Sequence, residues 1–422
     1  MPWKHTVRGI FYIKKGVTDM ADISEIIDSG SLRIRFQPIV SIKHMCIFGV
    51  EALCYARFRG TVLSADELFA EARNNSTVSL LDRACIQKAV LEFSQIERRD
   101  SLLLFLNFES SQIDDDSTDT TFILSQCLKA GIQPESVVIE IIESKVINDR
   151  KLQQFVSFYK KHGFSIAIDD LGQGYSNLSR LSYIAPAIVK TDKSLTDRLD
   201  HDPIKKSILS SLATLSRNIG ALFLVEGAET TGAAVAAASS GAELLQGYSV
   251  SKPGTNIPLL SKQAGENLKT IMELTQQKTV RAMHKNLIIG QKHIDEMKRI
   301  TVLLTAASPL LFEHIIVNWY SPSETCECAY VLDSSGFQIT DVLPCRTDQR
   351  TLPSRLFRNP EKNSAHFLEP YYYIPFLSGT PYISERYISG ATGRQCITIT
   401  IPFPNKDTDY YFCADFSVPV IE

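Results

Sequence analysis

Seven short apolar runs of this 422-residue chain end in side chains that could do chemistry. Glu51 lies at the end of "CIFGVEAL", Asn107 in "LLLFLNF" and Glu140 in "SVVIEII", while Asp169 and Asp170 close "FSIAIDD". Lys190 and Asp192 stand in "AIVKTD", Glu226 in "ALFLVEG" and Gln246 in "LLQGYSVSK". Taken singly, an Asp or Asn at a strand end is a turn former or a helix cap, and a Glu or Lys is solvated. Repeated at the same end of successive runs, they point to one shared site. Several carboxylates crowded in a dry cleft repel and protonate unless a cation compensates them. Oxygen-only donors suit hard ions, Mg²⁺ or Mn²⁺, better than a structural zinc. The adjacent pair Asp169 and Asp170 can bridge or serve two ions, which would clamp the oxygens of a phosphoryl transfer and acidify a bridging water. Lys190 adds a positive group for the phosphate or the nucleophile.

Such residues must be positioned by something regular. From about residue 32 to 253, apolar runs alternate with amphipathic stretches such as "LDRACIQKAVLEFSQI" and "PIKKSILSSLATLSRNIG". Strand and helix alternating in this way predict a parallel sheet with crossover helices. Eight strand candidates, beginning with "LRIRFQPIV", predict an α/β fold closed as a TIM-like (β/α)₈ barrel. In such a barrel the C-terminal ends of all strands meet at one rim, where active sites are built.

Composition narrows the class. The net charge of −3 and a charged fraction of 22% call for neither DNA nor an acidic membrane as partner. No apolar run approaches the ~18 residues of a membrane span, and the basic start lacks a cleavable leader pattern. Nine dispersed cysteines fit a reducing compartment, so the expected location is the cytoplasm. Cys326 and Cys328 form the one close pair and read as alternate positions on a strand or turn.

Beyond the barrel, residues 258–304 are charged helix formers with apolar residues at helical spacing, read as a helical connector. Residues 305–422 read as an α+β sheet domain. "CAYVLDSSGFQITDVL" predicts a hairpin turning at Asp333 to Gly336, and "NKDTD" predicts a turn between two aromatic-rich strands. Residues 1–24 read as an N-terminal tail, leaving the barrel at 25–257.

The motifs "FQPIV", "EAL" (Glu51 to Leu53), "IEIIES", "DDLGQGYSNLSRL", "IVKTDKSL", "VEGAET" and "LLQGYSVSKP" occur in this order. Over residues 25 to 255 the chain thereby resembles the EAL-domain cyclic di-GMP phosphodiesterases. The resemblance implies hydrolysis of cyclic di-GMP to linear pGpG with Mg²⁺ or Mn²⁺, two ions in all, and a homodimer. It implies Glu51, Asn107, Glu140 and Asp169 as ligands of the first metal and Asp170 as a ligand of the second. It further implies Lys190 as the residue that orients or activates the water and Glu226 as general base. Gln37, Leu53, Arg57, Asp192 and Gln246 would meet substrate. Glu229 would support the site, and Glu143 would anchor the loop after Asp170.

The chain departs from the family pattern in several places. Tyr55 stands where the family has a phosphate-binding arginine; either Arg57 substitutes for it or the strand is bulged there. Ile142 replaces a threonine, and Glu109 makes "NFE" of the usual "NLS". Residues 305–422 resemble a Cache or PAS-like sensor fold, which implies either a small-molecule ligand or a dimerisation role. Two functional readings follow. One is a metal-dependent phosphodiesterase regulated by its C-terminal domain; the other is a cyclic di-GMP receptor of little turnover that signals through that domain.

Overall fold

The computed structural model describes residues 22–97, 99–171, 178–319, 325–344, 360–389 and 393–418. The chain divides into two compact units between Gln276 and Gln277.

Nine strands build the first unit: β1 (Leu32–Ser41), β2 (Cys46–Phe58), β3 (Thr61–Ser64), β4 (Leu103–Asn107), β5 (Val137–Ile141), β6 (Ser165–Leu171), β7 (Ile188–Thr191), β8 (Leu222–Val225) and β9 (Leu244–Leu245). The ladder runs β1-β9-β8-β7-β6-β5-β4-β2 and closes because β1 also pairs β2, while β3 hangs on β2 as an extra strand. The eight-stranded α/β barrel expected from the alternating runs is therefore present.

One expectation fails. The sheet is not wholly parallel, because β1 runs antiparallel to both β2 and β9. Only four residues, Ile42 to Met45, separate β1 from β2. A parallel crossover needs a dozen or more residues, whereas a short turn can only make a hairpin. Hence it is the N-terminal half of β1 that reaches the rim where the other strands have their C-terminal ends.

Packing follows the two-residue period of the strands. Ile39, Phe105, Val138, Ala167, Ile188, Leu224 and Leu244 fill the barrel interior. Residues of opposite parity, among them Ile34, Phe36, Leu104, Ile139 and Phe223, pack outward against the helices. Two of those helices begin at side-chain caps that their sequences announce. Asn148 accepts from Arg150 and Lys151 N–H before Asp149–Lys161, and Asp202 caps Pro203–Asn218 with proline at its first position.

The helix Ile257–Ala306 is 50 residues long. Ile257, Leu260, Ala264, Leu268 and Ile271 belong to the barrel's outer core, so that core continues well past residue 257. Among the described residues no helix is long and apolar enough to cross a membrane.

In the second unit, β10 (Cys326–Leu332), β11 (Leu343–Pro344), β12 (Tyr382–Ile383), β13 (Tyr387–Ile388), β14 (Gln395–Asn405) and β15 (Thr408–Ser417) form an antiparallel sheet of order β11-β10-β15-β14-β12, with β13 also on β14. The turn of Lys406 and Asp407 joins β14 to β15, with Lys406 at φ +55. The turn at Asp333 to Gly336 also forms, closed by Gly336 N–H donating to Asp333 O at 3.1 Å. Cys326 and Cys328 are buried residues of β10. One sheet face packs on Met297, Leu304 and Phe312, the other on Tyr371 and Tyr372 of the helix Pro370–Ser378.

Candidate active site at the barrel mouth

The chemistry-bearing residues occupy the next inward-facing position above the apolar interior. Asn107 lies two residues beyond Phe105, Glu140 beyond Val138, Asp169 beyond Ala167, Lys190 beyond Ile188, Glu226 beyond Leu224 and Gln246 beyond Leu244. Glu51 stands in the same relation to Gly49, whose missing side chain leaves room for the Phe105 ring. Alternation along each strand thus turns a ring of apolar side chains into a ring of polar ones.

Lys190 sits at its centre, fully buried. Its Nζ lies 2.6 Å from Glu140 Oε1, 2.6 Å from Glu226 Oε1 and 3.6 Å from Asp169 Oδ1. Burial alone would lower its pKa, but Asp169, Glu140 and Glu226 outweigh burial and hold it well above the usual lysine value. Burial pushes both the Glu140 and the Glu226 carboxyls well above the ordinary range, against the pull of Lys190.

Beside this cluster, Glu51 accepts from Asn107 Nδ2 at 2.6 Å and from Gln246 Nε2 at 2.5 Å. Gln246 also donates to Gln37 Oε1 at 3.3 Å, and Gln37 donates to Ser251 O at 3.4 Å. Asp169 Oδ1 accepts the Asp170 N–H at 2.8 Å. Asp170 has φ +57, and the β6–β7 ladder shifts register between Ile168 and Leu171, which lets two successive carboxylates address the mouth. Burial, then the charges of Asp169 and Asp192, raise Asp170 to about 6.

The other expected residues fall around this centre. Leu53 lines a cavity of about 350 Å³ with Glu51, Asn107, Glu140 and Ile142. Glu109 borders the same cavity, 4.0 Å from Arg73 and 3.7 Å from Lys145. Asp192 is buried, accepts the Ser194 N–H at 2.7 Å and lines a second cavity with Glu229. The Glu143 side chain and residues 172–177, the loop it was expected to anchor, lie outside the described residues.

The ladder between β1 and β2 is continuous from Leu32↔Ala56 to Ile39↔Gly49. No bulge therefore redirects Tyr55 or Arg57. Arg57 is exposed and pairs Val62 of β3, six residues along the strand from Glu51, roughly 20 Å at the rise of an extended chain. The structure adds a residue that the sequence reading passed over. Arg35 on β1 is opposite Leu53, and its guanidinium lies 4.1 Å from the Tyr55 ring centre. The four-residue gap before β2 was the available signal, since it reverses β1.

Gly247 follows Gln246 at φ +154, and a Cβ there would stand 2.3 Å from Ala228 O. Gly247→Ala is therefore expected to displace the Gln246 side chain and lower the melting temperature. An unchanged melting temperature would show that the backbone at 228 yields freely.

The sequence model of the EAL domain matches residues 20–253, more than half of the chain. The chain belongs to the EAL-domain family. Among curated relatives, a probable cyclic di-GMP phosphodiesterase, PdeG of Escherichia coli K12, is 26% identical over 257 residues, covering 59% of this chain and 50% of that protein. YkuI of Bacillus subtilis, described as an uncharacterised EAL-domain protein, is 27% identical over 52% of this chain and 54% of its own length. The chain thus matches about half the length of each. The crystal structure of YkuI in complex with substrate c-di-GMP and calcium superposes with a TM-score of 0.79 at 21% identity, covering 95% of this chain and 100% of that one. The PaMucR phosphodiesterase in complex with c-di-GMP gives 0.52 at 21% identity over 56% of this chain and 98% of its own. These likenesses place the EAL domain's fold, and that with YkuI spans nearly the whole chain.

Proposed function

We propose that this EAL-domain chain hydrolyses cyclic di-GMP to linear pGpG with divalent metal ions, Mg²⁺ or Mn²⁺. The observation that carries the reading is the ring of inward-facing donors delivered by every barrel strand to one mouth, together with relatives named as phosphodiesterases for this substrate. Glu51, Asn107, Glu140 and Asp169 would hold one ion and Asp170 a second. The donor set is all oxygen, and Glu140 Oε2 is buried without a hydrogen-bond partner, as a ligand oxygen would be. As they stand, no three acidic, His or Cys side chains among the described residues converge tightly enough to enclose an ion. Glu140 and Asp169 share the Lys190 ammonium as a neighbour, at 2.6 Å and 3.6 Å. Bound ions would supply electrophilic charge to the phosphate and make water more acidic.

The protein's own part in the reaction is proton control. Water adds to one phosphorus, the bond from that phosphorus to a 3′ oxygen breaks, and the leaving oxygen takes up a proton from solvent, to which Glu226 later returns the one it accepts. Glu226, with its raised affinity for protons, takes the proton from the water. Lys190 holds the Glu226 and Glu140 carboxylates in place and, through Glu226, orients the water. Gln37, Leu53, Asp192 and Gln246 would meet the nucleotide, with Glu229 supporting the cavity it lines with Asp192.

A second reading has its own support. Both Glu51 oxygens already accept amide N–H groups, an arrangement that suits a receptor binding cyclic di-GMP with little turnover. Incubating the protein with cyclic di-GMP and Mg²⁺ or Mn²⁺ separates the two. Linear product supports the enzyme, binding without product supports the receptor, and neither binding nor product removes both. The C-terminal unit is proposed to regulate the barrel by stabilising a homodimer, with or without a small-molecule ligand. Val280, Met283 and Leu287 support this, since they recur at spacings of three and four on the long helix and are exposed.

A further inference from the structure

A carboxylate-rich mouth needs a cation with unused donors if it is to bind a phosphodiester anion. Lys190 does not meet that need, because it is buried and engaged by three carboxylates. Arg33 donates to the Gly30 and Leu32 carbonyls. Arg57 is exposed and roughly 20 Å along the strand from Glu51.

Arg35 has the right position. In β1 the even residues Ile34 and Phe36 pack outward in the helix-facing core, so Arg35 shares the inward face with Gln37 and Ile39. Its partner Leu53 is two residues from Glu51, roughly 7 Å along the strand, and an arginine side chain spans that distance. Leu53 itself lines the cavity that opens beside Glu51 and Asn107. Among the described residues Arg35 forms no ion pair, and its guanidinium lies over the face of the Tyr55 ring. A guanidinium stacked on an aromatic face keeps its in-plane N–H donors available, and that planar fork matches two phosphate oxygens.

We propose that Arg35 binds the substrate phosphate, with Tyr55 as the platform that holds its guanidinium in place. This rests on the phosphodiester reading above. Reversal of β1 is what makes it possible, since a parallel first strand would put Arg35 at the opposite end of the barrel.

The test measures steady-state hydrolysis and equilibrium binding of cyclic di-GMP by the full-length chain with Mg²⁺ or Mn²⁺. Arg35→Ala is expected to raise KM and Kd roughly 10- to 100-fold, the loss of a charge-assisted contact, with a smaller change in kcat. Arg35→Lys should recover little, because an ammonium lacks the fork and the stacking plane. Tyr55→Ala should weaken binding severalfold, and Tyr55→Phe, which keeps the aromatic platform, should weaken it less than Tyr55→Ala does. Melting temperatures within a few degrees of wild type would establish that each variant is folded, since Arg35 is only half-buried. An unchanged Kd in Arg35→Ala, or the expected loss appearing in Arg57→Ala instead, overturns the assignment. If wild type neither binds nor turns over cyclic di-GMP, it is the phosphodiester reading itself that fails.

Discussion

Lys190→Ala is expected to abolish turnover and also to destabilise the barrel by about 3–5 kcal/mol at pH 8, the cost of breaking a buried ion pair from one side. The ammonium is fully buried and lies within 3.6 Å of Glu140, Asp169 and Glu226. Its removal leaves these acids without their cation, and Glu140 and Glu226 already hold protons well above the ordinary carboxylate range. A carboxyl whose pKa is raised on folding binds more protons folded than unfolded. Its contribution to stability therefore falls as pH rises above the unfolded value of about 4.5. The variant should accordingly recover much of its stability at pH 5 while remaining inactive. Urea unfolding of both proteins at pH 5 and pH 8 measures this. A variant as stable as wild type at pH 8 would mean that the cluster is not held together by Lys190.

Chelation is expected to have the other large effect. Excess EDTA should reduce turnover to background, and added Mn²⁺ or Mg²⁺ should restore it. The independent readout is thermal stability, because an ion that binds only the folded protein at 100 times its Kd adds about 2.7 kcal/mol. Glu140→Gln should lose that stabilisation, since it neutralises the carboxylate whose Oε2 has no other hydrogen-bond partner. Calcium should stabilise the wild type but support little turnover, because its longer and looser bonds place oxygens less strictly. Undiminished turnover in EDTA would sink the metal reading.

The barrel was legible in the sequence because each strand is a compact apolar run and each crossover an amphipathic stretch. The location of Glu51, Asn107, Glu140, Asp169, Lys190, Glu226 and Gln246 was legible for a related reason. Each is the first polar residue of inward parity after an apolar stack, and parity is a property of the chain itself. The polarity of β1 was written there too, in the four residues that separate it from β2, but the alternation of runs and helices concealed it.

What the sequence by itself determined is therefore local: where strands and helices lie, which face of each is apolar, and which strands end in donors. The tertiary structure decided the rest, because distances across a barrel depend on closure and strand direction, which no single run encodes. Closure made Lys190 the shared neighbour of three carboxylates drawn from three different strands. It also paired Glu51 with Gln246, 195 residues later in the chain. Strand direction set Arg35 opposite Leu53, two residues from Glu51, with its guanidinium on Tyr55, and left Arg57 far along the strand, since antiparallel pairing reverses which end of β1 meets the site.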